Sequence, residues 1–212
     1  AVKKNLITMV YTNAPPAVAP HGALKSLFGT NPICFGTPTG SKIPFILDTS
    51  ISMINRGKIR VAARNNQSIP EGVALDKFGK PTTDAKKALE GVQLPIAGFR
   101  GSGLAWMVDI LSGVLTGSSH GGKIRDPFDD FTGPQNMGHL FIAINPKIFP
   151  GNNFIREMKK NIKLVKRLPK AKGFKSILYP GERKNKTYKK NLNKDISIPS
   201  KILSEMDELN AI

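Results

Sequence analysis

The sequence predicts an α+β fold, and three observations carry that prediction. Short apolar runs at residues 6–11, 33–36, 43–47 and 139–144 have the composition and length of strands. Residues 102–116 and 154–168 carry apolar side chains at helical spacing. The two kinds of segment are mixed without regular strand–helix–strand alternation, which argues against a doubly wound parallel sheet.

Each element has a local reason. The first run stops at "TNAPPAVAPHG", where successive prolines hold the residues before them in extended or turn geometry. "NPICFGTP" gives a short strand, and "IPFILDTS" a clear one ending at Asp48. In residues 51–66, Ile51, Ile54, Lys58 and Val61 fall near the helical repeat. "LDKFGKPTTD" reads as a surface turn. Asp84 then caps a short helix to Glu90, with Gly91 just past its end. "GFRGSG" opens a buried helix over 102–116, and residues 119–138, rich in Gly, Asp and Pro, form a long loop. Phe154, Met158, Ile162, Val165 and Leu168 make one face of an amphipathic helix whose other face is lysine. Residues 170–195 read as basic, turn-rich and irregular, and Ser200 as the cap of a final helix.

Composition narrows the class. Hydrophobic residues make up 40% of the 212 and charged residues 22%, which suits a folded chain with a core. The single cysteine, Cys34, excludes an intrachain disulfide and a multi-cysteine metal site, and fits a cytoplasmic setting. The apolar run at 6–11 is too short for a secretory leader and is broken by Thr8. The most apolar stretch, 101–117, is too short for a membrane span and contains Asp109. Net charge is +17, and residues 151–212 hold 16 basic against 6 acidic side chains, a +10 excess. The excess is mostly Lys beside Asn, without aromatic platforms, so a solvated lysine surface is favoured over attraction of an anionic cofactor or nucleic acid.

Four clusters invite chemistry, and each also has a plain structural reading. Gly29-Thr30-Asn31-Pro32 presents a hydroxyl and an amide, or is only a turn. Asp48-Thr49-Ser50 gathers polar groups where a strand leaves its sheet, or caps a helix. Gly98-Phe99-Arg100-Gly101-Ser102-Gly103 precedes a helix and could admit a phosphate, though its glycines do not match a dinucleotide fingerprint and close helix packing explains them equally well. Pro180-Gly181-Glu182-Arg183-Lys184 could grip a ribose and a phosphate, or be a solvated loop. His21, His120 and His139 lack partners at the spacing of a metal site or catalytic triad.

Taken in order, "TNAPPAVAPHG", "FGTNPICFGTP", "FILDTSISMINRGKI", "IPEGVALDKFGKPTTD", "LPIAGFRGSGLAWMVDILSGVLTG", "PQNMGHLFIAINP" and "YPGERK" resemble the malate/L-lactate dehydrogenase-like family. The resemblance runs from about residue 6 to 199. It implies a non-Rossmann fold in which the cofactor sits on a largely antiparallel sheet, a second domain built from the chain termini, and a homodimer. Residues 1–150 would then be an NAD(P)-binding domain incomplete at its start. Residues 151–212 would supply the rest of that domain, the basic cofactor loop and a helix packing on the second domain.

The resemblance also implies roles. Asp48, Thr49 and Ser50, Arg100, and Gly181, Glu182, Arg183 and Lys184 match cofactor contacts, the cofactor being NAD or NADP. Thr30, Arg56 and Gly57 match substrate contacts. The reaction implied is hydride transfer between NAD(P) and a small 2-hydroxy, 2-oxo or 2-imino carboxylate such as malate or lactate, in the cytoplasm, with no metal and no membrane partner. Val73 stands where the family usually has Trp, Asn55 replaces a small residue, and Arg100 stands where Lys is commoner. The family's general acid, a histidine beside a serine, and a Ser-x-His-Phe-Gly-like segment would precede Ala1. The chain is therefore expected to be a fragment with no catalytic residue of its own, inactive alone. The alternatives are a non-catalytic remnant and, less favoured, a basic nucleic-acid-binding protein.

Overall fold

Strand β1 (Ile7–Thr12) has a neighbour on each side, and the main sheet is built outward from it. In the computed structural model, which describes residues 1–151 and 153–210, four antiparallel strands lie in the order β3-β2-β1-β6. Here β2 is Ile33–Thr37, β3 is Phe45–Thr49 and β6 is His139–Ile144. Thr8 faces Gly36 on one side of β1 and Ala143 on the other. Along β6, His139, Phe141 and Ala143 are exposed while Leu140, Ile142 and Ile144 are half-buried, the two-residue alternation of a sheet with one covered face. The expected strands are thus present, each within two residues of its sequence bounds, and the mixed, antiparallel architecture is the one anticipated.

A second unit hangs from the exit of β3. Helix α1 (Arg56–Arg64) and helix α2 (Ala85–Glu90) flank a small antiparallel pair, β4 (Ala74–Leu75) and β5 (Val92–Gln93). Ile54, Ile59, Ile69, Val73, Ala74, Ala85 and Ala88 close its core. Val73, where the family favours Trp, is only 5% exposed and belongs to this core. The helix anticipated over 51–66 is shorter. It begins at Arg56 because the Asn55 carboxamide accepts from the Gly57 amide and caps it. Asp84 caps α2 through the amides of Lys86 and Lys87, as its position predicts. In the "LDKFGKPTTD" turn, the Asp76 carboxylate accepts from the amides of Phe78 and Lys80.

Helix α3 (Phe99–Asp109) differs from expectation. It ends at Asp109 and widens into a single π turn over Ile110–Val114, closed by the Leu115 amide donating to the Ile110 carbonyl. Nor is it buried all round. Ala105 and Val108 are buried, whereas Phe99, Trp106, Ile110, Val114 and Leu115 are exposed. Its sequence is apolar on every face, but the described residues cover only one of them.

A web of amides holds α3 and the 119–138 loop to the sheet. Buried Asn13 donates to the Ser119 carbonyl at 2.8 Å and to Asp109 at 3.5 Å, and accepts from the Gly138 amide at 2.9 Å. The second Asp109 oxygen accepts from the Gly121 amide at 2.9 Å. Asn31 accepts from the Ala14 amide and donates to the Ala105 carbonyl. The amides of the "TNAPP" and "GTNP" turns are therefore tied up in the fold.

Gly101 marks the tightest seam beside α3. A Cβ built there would lie 1.8 Å from the Ile96 carbonyl oxygen. Gly101→Ala should therefore cost about 2–3 kcal/mol and lower Tm by roughly 4–12 °C. A melting curve within a degree of the unaltered protein would show that the backbone can open at no cost.

Three α-helices follow β6 among the described residues. They are α4 (Phe154–Arg167), capped by Asn153, α5 (Glu182–Asn191) and α6 (Ser200–Asn210). Helix α5 corrects the expectation of an irregular 170–195 segment. Ser200 is the first residue of α6 rather than a residue outside it. No helix among the described residues is long and apolar enough to cross a membrane.

Candidate functional site

The segment after α4 returns to the free edge of β3. The Ile46 amide donates to the Pro180 carbonyl at 3.0 Å, and the Tyr179 hydroxyl donates to the Ile43 carbonyl at 2.9 Å. Tyr179 also lies parallel to Phe45, with ring centroids 6.3 Å apart. Gly181 then turns the chain into α5 at φ +106°, and a Cβ there would lie 2.6 Å from the Pro44 carbonyl oxygen. Only glycine satisfies both the backbone angle and the gap.

Glu182 anchors the turn. It is 8% exposed. One carboxylate oxygen pairs with the Lys166 ammonium, and the other accepts from the Tyr179 amide at 3.1 Å. A carboxylate in the first turn of α5 also suits the positive end of the helix dipole. Lys166 further lies 5.0 Å from the centre of the Tyr179 ring.

This docking brings two of the four clusters together. Lys184 and Asp48, 136 residues apart in sequence, form an ion pair at 2.8 Å. Both ends are at least half exposed, so the pair adds little stability, but it fixes which faces meet. Around it lies a cleft of about 330 Å³ lined by Ile46, Leu47, Asp48, Tyr179, Arg183 and Lys184 among others. Arg183 is exposed and has no carboxylate partner among the described residues. Cys34 faces Asp48 across β2 and β3. Burial pushes its thiol above the usual value, the Asp48 charge adds to that, and Lys184 opposes it. Cys34 is accordingly a poor thiolate nucleophile at neutral pH.

Two other expected site residues lie at the exit of β3. Thr49 and Ser50 follow Asp48; the Thr49 hydroxyl donates to the Ser50 carbonyl, and the Ser50 and Ser52 hydroxyls are 3.3 Å apart. The Ile51 amide donates to the Thr30 carbonyl at 2.8 Å, which sets the "GTNP" turn beside this exit. Five residues on, Arg56 opens α1, followed by exposed Gly57. The Arg56 Nε is buried and has no hydrogen-bond partner among the described residues. The Ile96 amide donates to the Ile51 carbonyl at 2.8 Å, four residues before Arg100. Arg100 is exposed and shares no hydrogen bond or ion pair with the Asp48–Lys184 cleft among the described residues. The structure thus joins Asp48 to Gly181–Lys184 directly. No contact among the described residues brings Thr30, Arg56 or Arg100 to that cleft, and of the three only Thr30 is tied to the exit of β3, by its backbone bond to Ile51.

The histidines are engaged elsewhere. His21 meets the edge of Phe99, His120 has Nδ1 3.0 Å from the Ser118 carbonyl, and His139 has Nδ1 2.9 Å from the Thr12 hydroxyl. No group of three metal-ligating side chains occurs among the described residues. Sequence reasoning missed Tyr179 and Lys166 as parts of this region. Tyr179 opens the "YPGERK" motif, so a signal for it existed; Lys166 looked like any other lysine on the polar face of its helix.

Apolar walls, a carboxylate and the free guanidinium of Arg183 on one cleft suit a dinucleotide. The walls can cover a ring, Asp48 can accept from a hydroxyl, and Arg183 can meet a phosphate.

Comparison with known proteins shows the family. The family model described as malate/L-lactate dehydrogenase matches residues 1–207. The malate/(S)-sulfolactate dehydrogenase of Methanothermus fervidus is 37% identical over 212 residues, covering 99% of this chain and 60% of that protein. The (2R)-3-sulfolactate dehydrogenase (NADP(+)) of Chromohalobacter salexigens is 40% identical over 147 residues, covering 69% of this chain and 44% of that protein. The solved sulfolactate dehydrogenase of Methanocaldococcus jannaschii superposes with a TM-score of 0.84 at 38% identity, over 98% of this chain and 59% of that one. The chain thus spans at most about 60% of the length of these relatives.

Proposed function

The chain belongs to the malate/L-lactate dehydrogenase family, and from that premise we propose that the whole protein moves a hydride between NAD(P) and a small 2-hydroxy, 2-oxo or 2-imino carboxylate. It does so as a cytoplasmic homodimer. Residues 1–150 form most of the cofactor-binding domain. Residues 151–212 complete that domain, carry its basic loop and bring a last helix to the second domain.

The observation that carries the reading is the convergence of Asp48 with Gly181–Lys184 on one cleft. Asp48, Thr49 and Ser50 offer acceptors and hydroxyls to the ribose and amide groups of the cofactor. Arg183 and Arg100 offer cations to its phosphates. Glu182, held by Lys166, keeps the turn in place, and Gly181 lets it lie against β3. Thr30 and the Arg56-Gly57 pair form the substrate wall, where the unpartnered guanidinium suits a carboxylate. The bound nicotinamide supplies or accepts the hydride. The residues of this chain position it and neutralise the substrate's charge.

The test is direct. Purified whole protein, followed by NAD(P)H absorbance, should turn over at least one member of a panel of malate, lactate, sulfolactate and cyclic 2-imino acids. Inactivity across the panel with both cofactors would overturn the reading.

A further inference from the structure

A second, larger groove shares one lining residue, Tyr179, with the cleft. The β2–β3 turn, α4 and α5 line about 560 Å³, within the range of small-molecule sites. Five lysines reach it from three segments: Lys42 from the turn, Lys159, Lys163 and Lys166 from α4, and Lys189 from α5. The three on α4 follow at spacings of four and three, which puts them on one face of the helix. The one carboxylate of the groove, Glu182, is already bonded to Lys166 and to the Tyr179 amide. Glu157, the acidic residue of α4, is occupied by Arg156 and Lys160. Lys42, Lys159, Lys163 and Lys189 have no carboxylate partner among the described residues.

The floor of the groove is set by its own hydrogen bonds. The Ile43 carbonyl accepts from the hydroxyls of Thr39 at 2.7 Å, Ser41 at 3.1 Å and Tyr179 at 2.9 Å. With its hydroxyl tied there and its ring parallel to Phe45, Tyr179 is a partition between groove and cleft rather than a passage. Lys159 lays its stem on Gly40, where a Cβ would lie 2.5 Å from the lysine Cε. Lysines spread over a convex surface are screened by water one by one. Gathered around a concavity they focus the potential into it, and their mutual repulsion falls when an anion enters. Ammonium groups are point charges without a fork, so they select by charge and size rather than between phosphate and carboxylate.

We propose that this groove is a binding site for a compact multivalent oxyanion, a small polyphosphate or polycarboxylate, separate from the Asp48–Lys184 cleft. Its ligand is neither the cofactor nor the substrate of the hydride transfer, and the site does not depend on how that cleft is used.

Calorimetry on the whole protein, with inorganic pyrophosphate, citrate and acetate as probes, tests it. Pyrophosphate or citrate should bind one per chain with Kd below about 0.1 mM at low salt, weakening as salt rises, and acetate at least about tenfold more weakly. The tighter of the two multivalent probes identifies the source as phosphorylated or carboxylic. Lys159→Gln/Lys163→Gln on one wall and Lys42→Gln/Lys189→Gln on the others should each lose about tenfold in that affinity. Lys172→Gln/Lys175→Gln removes as much charge outside the groove and should stay within about twofold. Saturating NADPH should leave the probe's affinity within about threefold. Absence of binding would overturn the proposal. So would an equal loss in all three double variants, which would mean a diffuse field rather than a site. Displacement of the probe by NADPH would assign the groove to the cofactor and overturn it as well, while leaving the reading of the cleft intact.

Discussion

Produced by itself, the 212-residue chain should turn over 2-hydroxy acids at least about 10²-fold, and up to about 10⁴-fold, more slowly than the whole protein. That is the usual loss when a general acid is absent. Hydride transfer to a 2-oxo acid leaves an alkoxide that must be protonated where it forms. The family resemblance implies that the proton donor is a histidine outside the matched region. The three histidines of this chain point to other work: His21 against Phe99, His120 toward the Ser118 carbonyl, His139 toward Thr12. Initial rates of both proteins at equal concentration, with each cofactor, measure the ratio. Turnover by the chain within tenfold of the whole protein would sink the prediction and require a donor among those three, which single alanine variants would identify.

Arg56→Gln should lower kcat/KM for the preferred acid about 10–10²-fold, the cost of one charged hydrogen bond of about 1.5–3 kcal/mol. The Arg56 guanidinium has no ion-pair partner among the described residues, so its charge is free to meet a substrate carboxylate. Folding should be spared, because α1 is capped by Asn55 and anchored by buried Ile59 rather than by Arg56. Arg56→Lys should recover only part of the loss, since a point charge replaces a planar fork. A Gln variant with kcat/KM within twofold of the original would remove Arg56 from the substrate wall, and an equal loss of NADPH affinity would move it to the cofactor.

The main sheet was legible because three of its four strands announce themselves twice, by an apolar run and by the Pro or Asn that ends it. "ITMVYT" before "NAPP" and "HLFIAI" before "NP" are such cases. Helix α5 was not legible. "ERKNKTYKKN" has no apolar stripe, and it is set by the buried Glu182 anchor and the Gly181 turn, whose partners Lys166 and Pro44 lie far away in sequence. Periodicity also overstated α3. An apolar sequence says that a helix needs cover, but not how much of that cover its own chain supplies. Asp48 and Lys184 were singled out through the family's motifs, yet their meeting across 136 residues could be read only from the fold.

The register of the central strand also sets a clock. β1 can pair with β2 as soon as residue 37 has emerged, but its other edge waits for Thr12 to meet His139, 127 residues later. At about 5–20 residues per second, the ribosome takes roughly 6–25 s to deliver that partner. Through that interval β1 carries a bare row of amides and carbonyls, the kind of edge on which nascent chains stick to one another. The strand that completes the sheet is thus also its latest, and closing so distant a contact is the slow step expected of this topology.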